Sequence, residues 1–333
     1  MQDSAPAPST AATPDATPDT ALARWIHPSV ILVATDLSDL GRLVPFALEQ
    51  AVQTGAHLLL LHVVAEAGAL ASDAAGLPYY DPAGVLDFAA RELESICALA
   101  AKRNIACDAL VRAGNPAQQI AAVARQFQAD RVLVGTRSRS KLGKLLLGSV
   151  AEQVLRSVNL PVITVGPEAH LPVEWARSEP IVLHATTLRE TSRPSAALAC
   201  QIAASQGARL VLVHVLPPTD EPASGRSGQP AALDSAALHE LRLLAAEVGD
   251  ACAVHVEPYV VHGNPSIEIL AAAAERHATL IVLSAHHRSV FESLTRDRTV
   301  YRVLAHARCP VLTLSEQLPT PPPRRAQTLA AHT

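Results

Sequence analysis

Glycines and cations gather in one short run, GTRSRSKLGKLLLGS, at residues 135–149. Gly135 closes the apolar stretch DRVLVG, Gly148 and Ser149 open a stretch patterned as a helix, and Arg137, Arg139, Lys141 and Lys144 lie between them. These residue types suit phosphate. A glycine admits a close ligand. The first N–H groups of a helix, at the positive end of its dipole, favour an anion. Ser149 adds a hydroxyl that can donate to phosphate or bind a phosphate-held metal ion, and a guanidinium grips phosphate oxygens bidentately. Ser138 stands where a tight phosphate loop favours glycine; if that position is left-handed, serine costs about 1–2 kcal/mol there. Each signal has a plainer alternative: Gly135 serving a turn alone, Asp36 capping a helix, the cations forming a solvated face.

Other candidates are histidines. His184, His214, His262, His286 and His287 all fall near the ends of strand-like segments in the second part of the chain. Three neutral imidazoles could hold zinc or another transition metal, or sense pH. Against this, there is no tight H-x-x-x-H spacing, and His214 has a twin, His62, in the first part. No metal site is expected; His184, His262, His286 and His287 are the residues to inspect for one.

These residues need a scaffold, and the 333 residues suggest two domains. Aliphatic residues and alanine abound while aromatics make up only 3%, which suits α/β cores. A net charge of −4 supplies no basic field for nucleic acid or anionic lipid. The longest apolar run, LLLLHVV, is far shorter than the roughly 20 residues that span a bilayer. The N-terminal stretch lacks the basic start and apolar segment of a secretory signal. Five cysteines without a C-x-x-C pair read as buried free thiols. The expected compartment is the cytoplasm.

Two halves repeat. ILVATDLSD from residue 31 parallels IVLHATTLRE from 181, and RAGNPAQQI parallels VHGNPSIEI. VLRSVNLPVITV parallels VLAHARCPVLTL, and 149 residues separate both Pro161 from Pro310 and Gly114 from Gly263. A repeat this long means duplicated domains. The expected division is a disordered tail at 1–24, a domain at 25–167, a linker at 168–178, a domain at 179–316 and a disordered tail at 317–333.

Within each half, short Val/Ile/Leu-rich segments alternate with helical patterns. Strands are expected near 29–34, 57–64, 106–112, 131–135 and 161–165, then 180–185, 209–215, 252–261, 280–284 and 310–314. Asn115 and Asn264, each followed by proline, mark helix starts. The expected fold class is α/β: two tandem Rossmann-like domains, each a five-stranded parallel sheet of order 3-2-1-4-5 with helices on both faces. Ligands of such sheets bind beyond the strands' carboxyl ends, at the switch point between strands 1 and 4. Thr35, Asp36 and the loop from Gly135 leave the first half's sheet there.

Both halves resemble the universal stress protein family in its tandem form, through ILVATDLSD, LLLLHVV, AGNPAQQIAAVARQFQADRVLVGTRSRS, LLLGSVAEQVLRSVNLPVITV and their echoes. ATP-binding members carry G-x-x-G, nine residues, then G-[S/T]. Gly135 matches the first glycine, Ser138 departs from the second, and Gly148-Ser149 match the close. The resemblance implies ATP, with or without magnesium, in the first half. It places Asp36 near the adenine or ribose, the Val63 backbone at the adenine edge, and Val150 and Ala151 in the phosphate wall. With Thr35, Arg137 and Arg139, these form the expected site. The second half departs further. Ser284 replaces Gly135, His287 replaces Ser138, Asp297 and Arg298 replace Gly148-Ser149, and Thr187 aligns with Asp36. No nucleotide is expected there.

The sequence thus suggests an adenine-nucleotide-binding stress-response or regulatory protein. The alternative is a non-nucleotide interaction module, or one that senses a ligand or metal through its His-rich second half. No nucleophile elbow or P-loop is present, so no catalytic residue is assigned, and at most a slow ATPase is conceivable. Strand 5 is expected to be an edge with unpaired backbone groups, and the resemblance implies that its two copies pair into an intramolecular pseudo-dimer, with further dimerisation open.

Overall fold

The computed structural model describes residues 23–65, 82–136, 147–170, 179–218, 229–285 and 298–315. In the first half the elements are β1 (Val30–Thr35), α1 (Leu40–Thr54), β2 (His57–Val64), α2 (Pro82–Ala101), β3 (Cys107–Ala113), α3 (Pro116–Gln126), β4 (Arg131–Gly135), α4 (Ser149–Ser157) and β5 (Val162–Val165). The second half repeats them as β6 (Ile181–Ala185), α5 (Arg193–Ser205), β7 (Arg209–Leu216), α6 (Gln229–Cys252), β8 (Val256–His262), α7 (Pro265–Glu275), β9 (Leu280–Ala285), α8 (Arg298–His306) and β10 (Val311–Ser315). A 3₁₀ turn at Glu190–Ser192 precedes α5.

Strand alternation assigns the two cores. In β1, Ile31 and Val33 pack with α1 and α2, while Leu32 and Ala34 pack with α3 and α4. Both layers continue into the second half, one through α5 and α6, the other through α7 and α8. The helices start where their caps dictate: Asn115 Oδ1 accepts from the Gln118 N–H at 3.1 Å, and Asn264 Oδ1 from the Ser266 N–H at 3.1 Å.

One ten-stranded sheet results, in the order β3-β2-β1-β4-β5-β10-β9-β6-β7-β8. Each half has the expected order, parallel within itself. The halves meet where β5 and β10 pair antiparallel, with Ile163 opposite Leu312. The Thr164 hydroxyl donates across this seam to the Val311 carbonyl at 3.3 Å. The first residues of the expected linker also join it: the His170 N–H donates to the Arg308 carbonyl at 2.8 Å.

Two expectations need correction. Residues 252–255 are not strand, because α6 runs on to Cys252 and ends through Ala253 in a left-handed conformation (φ 54). Gly249 permits that close: a Cβ there would lie 3.0 Å from the Val254 carbonyl oxygen. Residue 24 also belongs to the fold rather than to a tail. The Arg24 Nε donates to buried Asp130 at 2.7 Å, and Asp130 accepts from the Ser29 and Val30 N–H groups as well. Beside it, fully buried Arg131 donates to Gln50 at 2.7 Å and to the Trp25 carbonyl at 2.6 Å. This network fastens the residues before β1 to the start of β4.

Among the described residues, no helix is long and apolar enough to cross a membrane.

The seam supports a direct test. Ile163 is 1% exposed, so Ile163→Asp buries a charge in the β5–β10 contact. It should cost several kcal/mol and split denaturant unfolding into two transitions, with faster proteolysis between the halves. Unchanged unfolding and proteolysis would contradict the role given to the seam.

Candidate functional site

A cavity of about 280 Å³ opens at the carboxyl ends of β1 and β4. Its walls include Thr35, Asp36, Asp39, Val63, Gly135 and the start of α4, Gly148 to Ala151. Of the eleven residues expected from the sequence to form the site, eight share this cavity: Thr35, Asp36, Val63, Gly135, Gly148, Ser149, Val150 and Ala151. The other three, Arg137, Ser138 and Arg139, lie outside the described residues, as do Lys141 and Lys144.

At one wall, Gly148 is the N-cap of α4 in an extended conformation, and its carbonyl accepts the first helical bond from the Glu152 N–H at 3.0 Å. The N–H groups of Ser149, Val150 and Ala151 therefore lack intrahelical acceptors and lie at the positive end of the helix. Glu152, the acidic residue of this first turn, is paired with Arg156.

The loop leaving β1 forms the opposite wall. The Thr35 hydroxyl donates to Asp39 Oδ1 at 2.5 Å and accepts from the Leu37 N–H at 2.9 Å. Its one proton is thus committed to Asp39. Asp36 Oδ1 accepts from the Ser38 N–H at 2.8 Å and from the Ser38 hydroxyl at 2.6 Å, so this carboxylate also shapes its own turn. Leu37 takes a left-handed conformation (φ 66), and its second-half twin Leu188 does the same (φ 60). A non-glycine residue there is strained. The bond that the Leu37 N–H donates to the Thr35 hydroxyl, mirrored by the Leu188 N–H donating to the Thr186 hydroxyl at 3.3 Å, offsets part of that strain.

Asp39 was not legible as a site residue. It stands at the N-cap of α1, yet its side chain makes no cap bond. Instead it lies against Gly135, where a Cβ would sit 2.0 Å from Asp39 Oδ2. Gly135 is not among the positive-φ glycines. Glycine is required here for the space that Asp39 fills, not for an unusual turn.

The second half differs at the matching places. Register pairs Val30 with His57 and Ile181 with Arg209, so Ile181 corresponds to Val30 and His184 to Val33. His184 is accordingly a core residue. It is fully buried, its Nδ1–H donates to the Val282 carbonyl at 2.9 Å, and Ser195 Oγ lies 3.3 Å from Nε2. Burial pushes its pKa down to about 4, against the carbonyl bond. His62 and His214 are structural twins, each donating from Nδ1 at 2.9 Å to the carbonyl of Thr35 or Thr186. His262 bridges the Pro217 carbonyl at 3.0 Å and Asp234 at 2.7 Å. These two acceptors raise its pKa, the carbonyl foremost. With both ring nitrogens engaged, neither His184 nor His262 is open to a metal. No cluster of metal-binding side chains occurs among the described residues; His286 and His287 lie outside them, as does Asp297.

A five-stranded parallel sheet, duplicated and joined through its fifth strands, with a cavity at the switch point, defines a tandem Rossmann-like protein. The profile of the universal stress protein family matches residues 29–166 and again 180–315, and the chain belongs to this family. Universal stress protein YxiE of Bacillus subtilis is 30% identical over 144 residues, covering 40% of this chain and 97% of that protein. The Universal stress protein E homolog of Haemophilus influenzae is 30% identical over 152 residues, covering 43% of this chain and 49% of that one. The crystal structure of a universal stress protein from Archaeoglobus fulgidus has the same fold, with a TM-score of 0.63 over 87% of this chain and 97% of that chain at 21% identity.

Two outcomes test this geometry. Gly135→Ala should destabilise the protein by about 1–3 kcal/mol, and Asp39→Ala in the same chain should recover at least about 1 kcal/mol of it. Strictly additive losses in denaturant unfolding would contradict the contact. His184 gives a pH signature. Its folded pKa, about 4, lies below the roughly 6.5 of an unfolded imidazole. The unfolded chain therefore takes up the proton first. The contribution, about 3 kcal/mol, is complete above pH 6.5 and lost as pH falls toward 4. His184→Val, which restores the first half's residue, should flatten that acid limb; parallel pH profiles would contradict the assignment.

Proposed function

We propose that the first half binds an adenine nucleotide, ATP in the first instance, and that the protein acts as a nucleotide-binding member of the stress-response family without catalytic turnover. The observation that carries this reading is the joint lining of one cavity. Unpaired N–H groups at the start of α4 suit phosphate, and Asp36 and Val63 flank the remaining space. Ser149 contributes a hydroxyl beside those N–H groups, and Arg137 and Arg139 follow Gly135 in sequence as phosphate-neutralising charge. The two carboxylates of the lining, Asp36 and Asp39, each accept from a neighbouring hydroxyl, Ser38 and Thr35 respectively, which supports a structural and binding role for them over general-base chemistry. If magnesium accompanies the nucleotide, the side-chain oxygen donors of the lining are Ser149, Asp36, Asp39 and Thr35.

The second half is proposed not to share this activity. Thr187 stands for Asp36, and its hydroxyl is bonded to Ser192 at 2.7 Å. Ser284 stands for Gly135.

Isothermal titration with ATP, ADP and AMP should give one site per chain. Asp36→Ala should weaken binding by about tenfold or more, as expected for loss of a charged hydrogen-bond partner. Ser138→Gly should bind at least as tightly as wild type. Absence of binding in both wild type and Ser138→Gly would overturn the proposal.

A further inference from the structure

Cys97 and Cys107 meet outside the cavity. Cys97 lies near the end of α2, between buried Ile96 and buried Ala100. Cys107 opens β3, an outer edge strand of the sheet. Along β3, Cys107, Ala109 and Val111 pack on the core cluster that holds Leu93, Ile96 and Ala100, and Cys97 packs on the same cluster. The chain between them turns through Asn104 (φ 58), and the Ile105 N–H reaches back to the Ala100 carbonyl at 3.1 Å. That turn folds β3 against the helix it has just left. Both residues are only partly buried. The two thiols share a hydrogen bond: donation from Cys107 holds Cys97 below the usual thiol range, against burial and the charges of Asp108 and Glu94, and pushes Cys107 up.

We propose that Cys97 and Cys107 form a redox modification site that closes into an intrachain disulfide when a hydroperoxide reaches it. A partly exposed thiolate with a neighbouring thiol is the arrangement that oxidises selectively. The Cys97 thiolate attacks one peroxide oxygen, the O–O bond breaks, and the departing hydroxide is protonated to water. Cys97 is then a sulfenic acid. Cys107 gives up its proton, and its sulfur attacks the Cys97 sulfur. The S–O bond breaks, and the leaving hydroxide takes that proton as a second water. In sum, two thiols lose two hydrogens and one hydrogen peroxide becomes two waters.

The fold does not dictate this pair. Ala246 and Val256 occupy the corresponding second-half positions. The second half has a thiol pair of its own, Cys200 with Cys252 at the end of α6, and it differs in accessibility. Cys252 is partly buried, but Cys200 is fully buried, donates to the Val248 carbonyl at 3.2 Å and is pushed up to about 12, by burial first and then by Cys252. Burial likewise pushes Cys309 up to about 12.

The test is peptide mapping of the full chain after hydrogen peroxide and alkylation of the remaining thiols. A linked Cys97–Cys107 peptide should form, two hydrogens lighter than its parts and reversed by a dithiol reductant. It should form at least about tenfold faster than a Cys200–Cys252 link or oxidation at Cys309. Cys107→Ser should stop at a sulfenic acid on Cys97 that a cyclic dione traps, and Cys97→Ser should leave Cys107 open to alkylation. Any of three results would overturn the proposal: wild-type Cys97 and Cys107 both remaining alkylatable while other thiols oxidise, Cys97 passing to sulfinic acid without a link, or a link between chains.

Discussion

The antiparallel pairing of β5 with β10 is the contact on which the molecule is organised. It removes one exposed edge from each five-stranded sheet and makes the two hydrophobic layers continuous. It also sets direction. Strands parallel within each half run oppositely between halves, so their carboxyl ends face opposite borders of the sheet. The cavity at Thr35, Gly135 and Gly148 and its second-half counterpart are therefore far apart, and each half could diverge without disturbing the other's site.

The two halves did diverge, and the differences are local. Both keep the strained leucine after β1, the threonine that holds it, and the histidine that ties β2 or β7 to its neighbour. These are scaffold features. What differs is chemical: Asp36 against Thr187, Gly135 against Ser284, Val33 against His184. The first two change the mouth of the site. The third places an imidazole that burial keeps neutral in a core that its twin fills with a methyl-bearing side chain.

Strand order and element positions were legible because β-period apolar runs alternate with helical periods, and because the chain says so twice. Register was less legible. ILVAT and IVLHAT align by eye at Ile31 and Ile181, yet the pairing with β2 and β7 matches Val30 to Ile181, which moves His184 from the mouth of the sheet to its core. The helix–strand boundary near Cys252 was missed because ACAVHV has the composition of either element. Asp39 was missed for a different reason. An aspartate before a helix signals a cap, and nothing local signals that it will press on a glycine far along the chain. The Cys97–Cys107 contact is equally invisible to spacing, since it depends on which face of β3 meets α2.

The most direct measurement of the central claim is amide hydrogen exchange of the full chain with and without ATP and magnesium. The account predicts added protection at 35–39, at 135–136 and at 148–151, with none at 186–192 or 284–285. Protection centred on the second half, or none under saturating nucleotide, would contradict it.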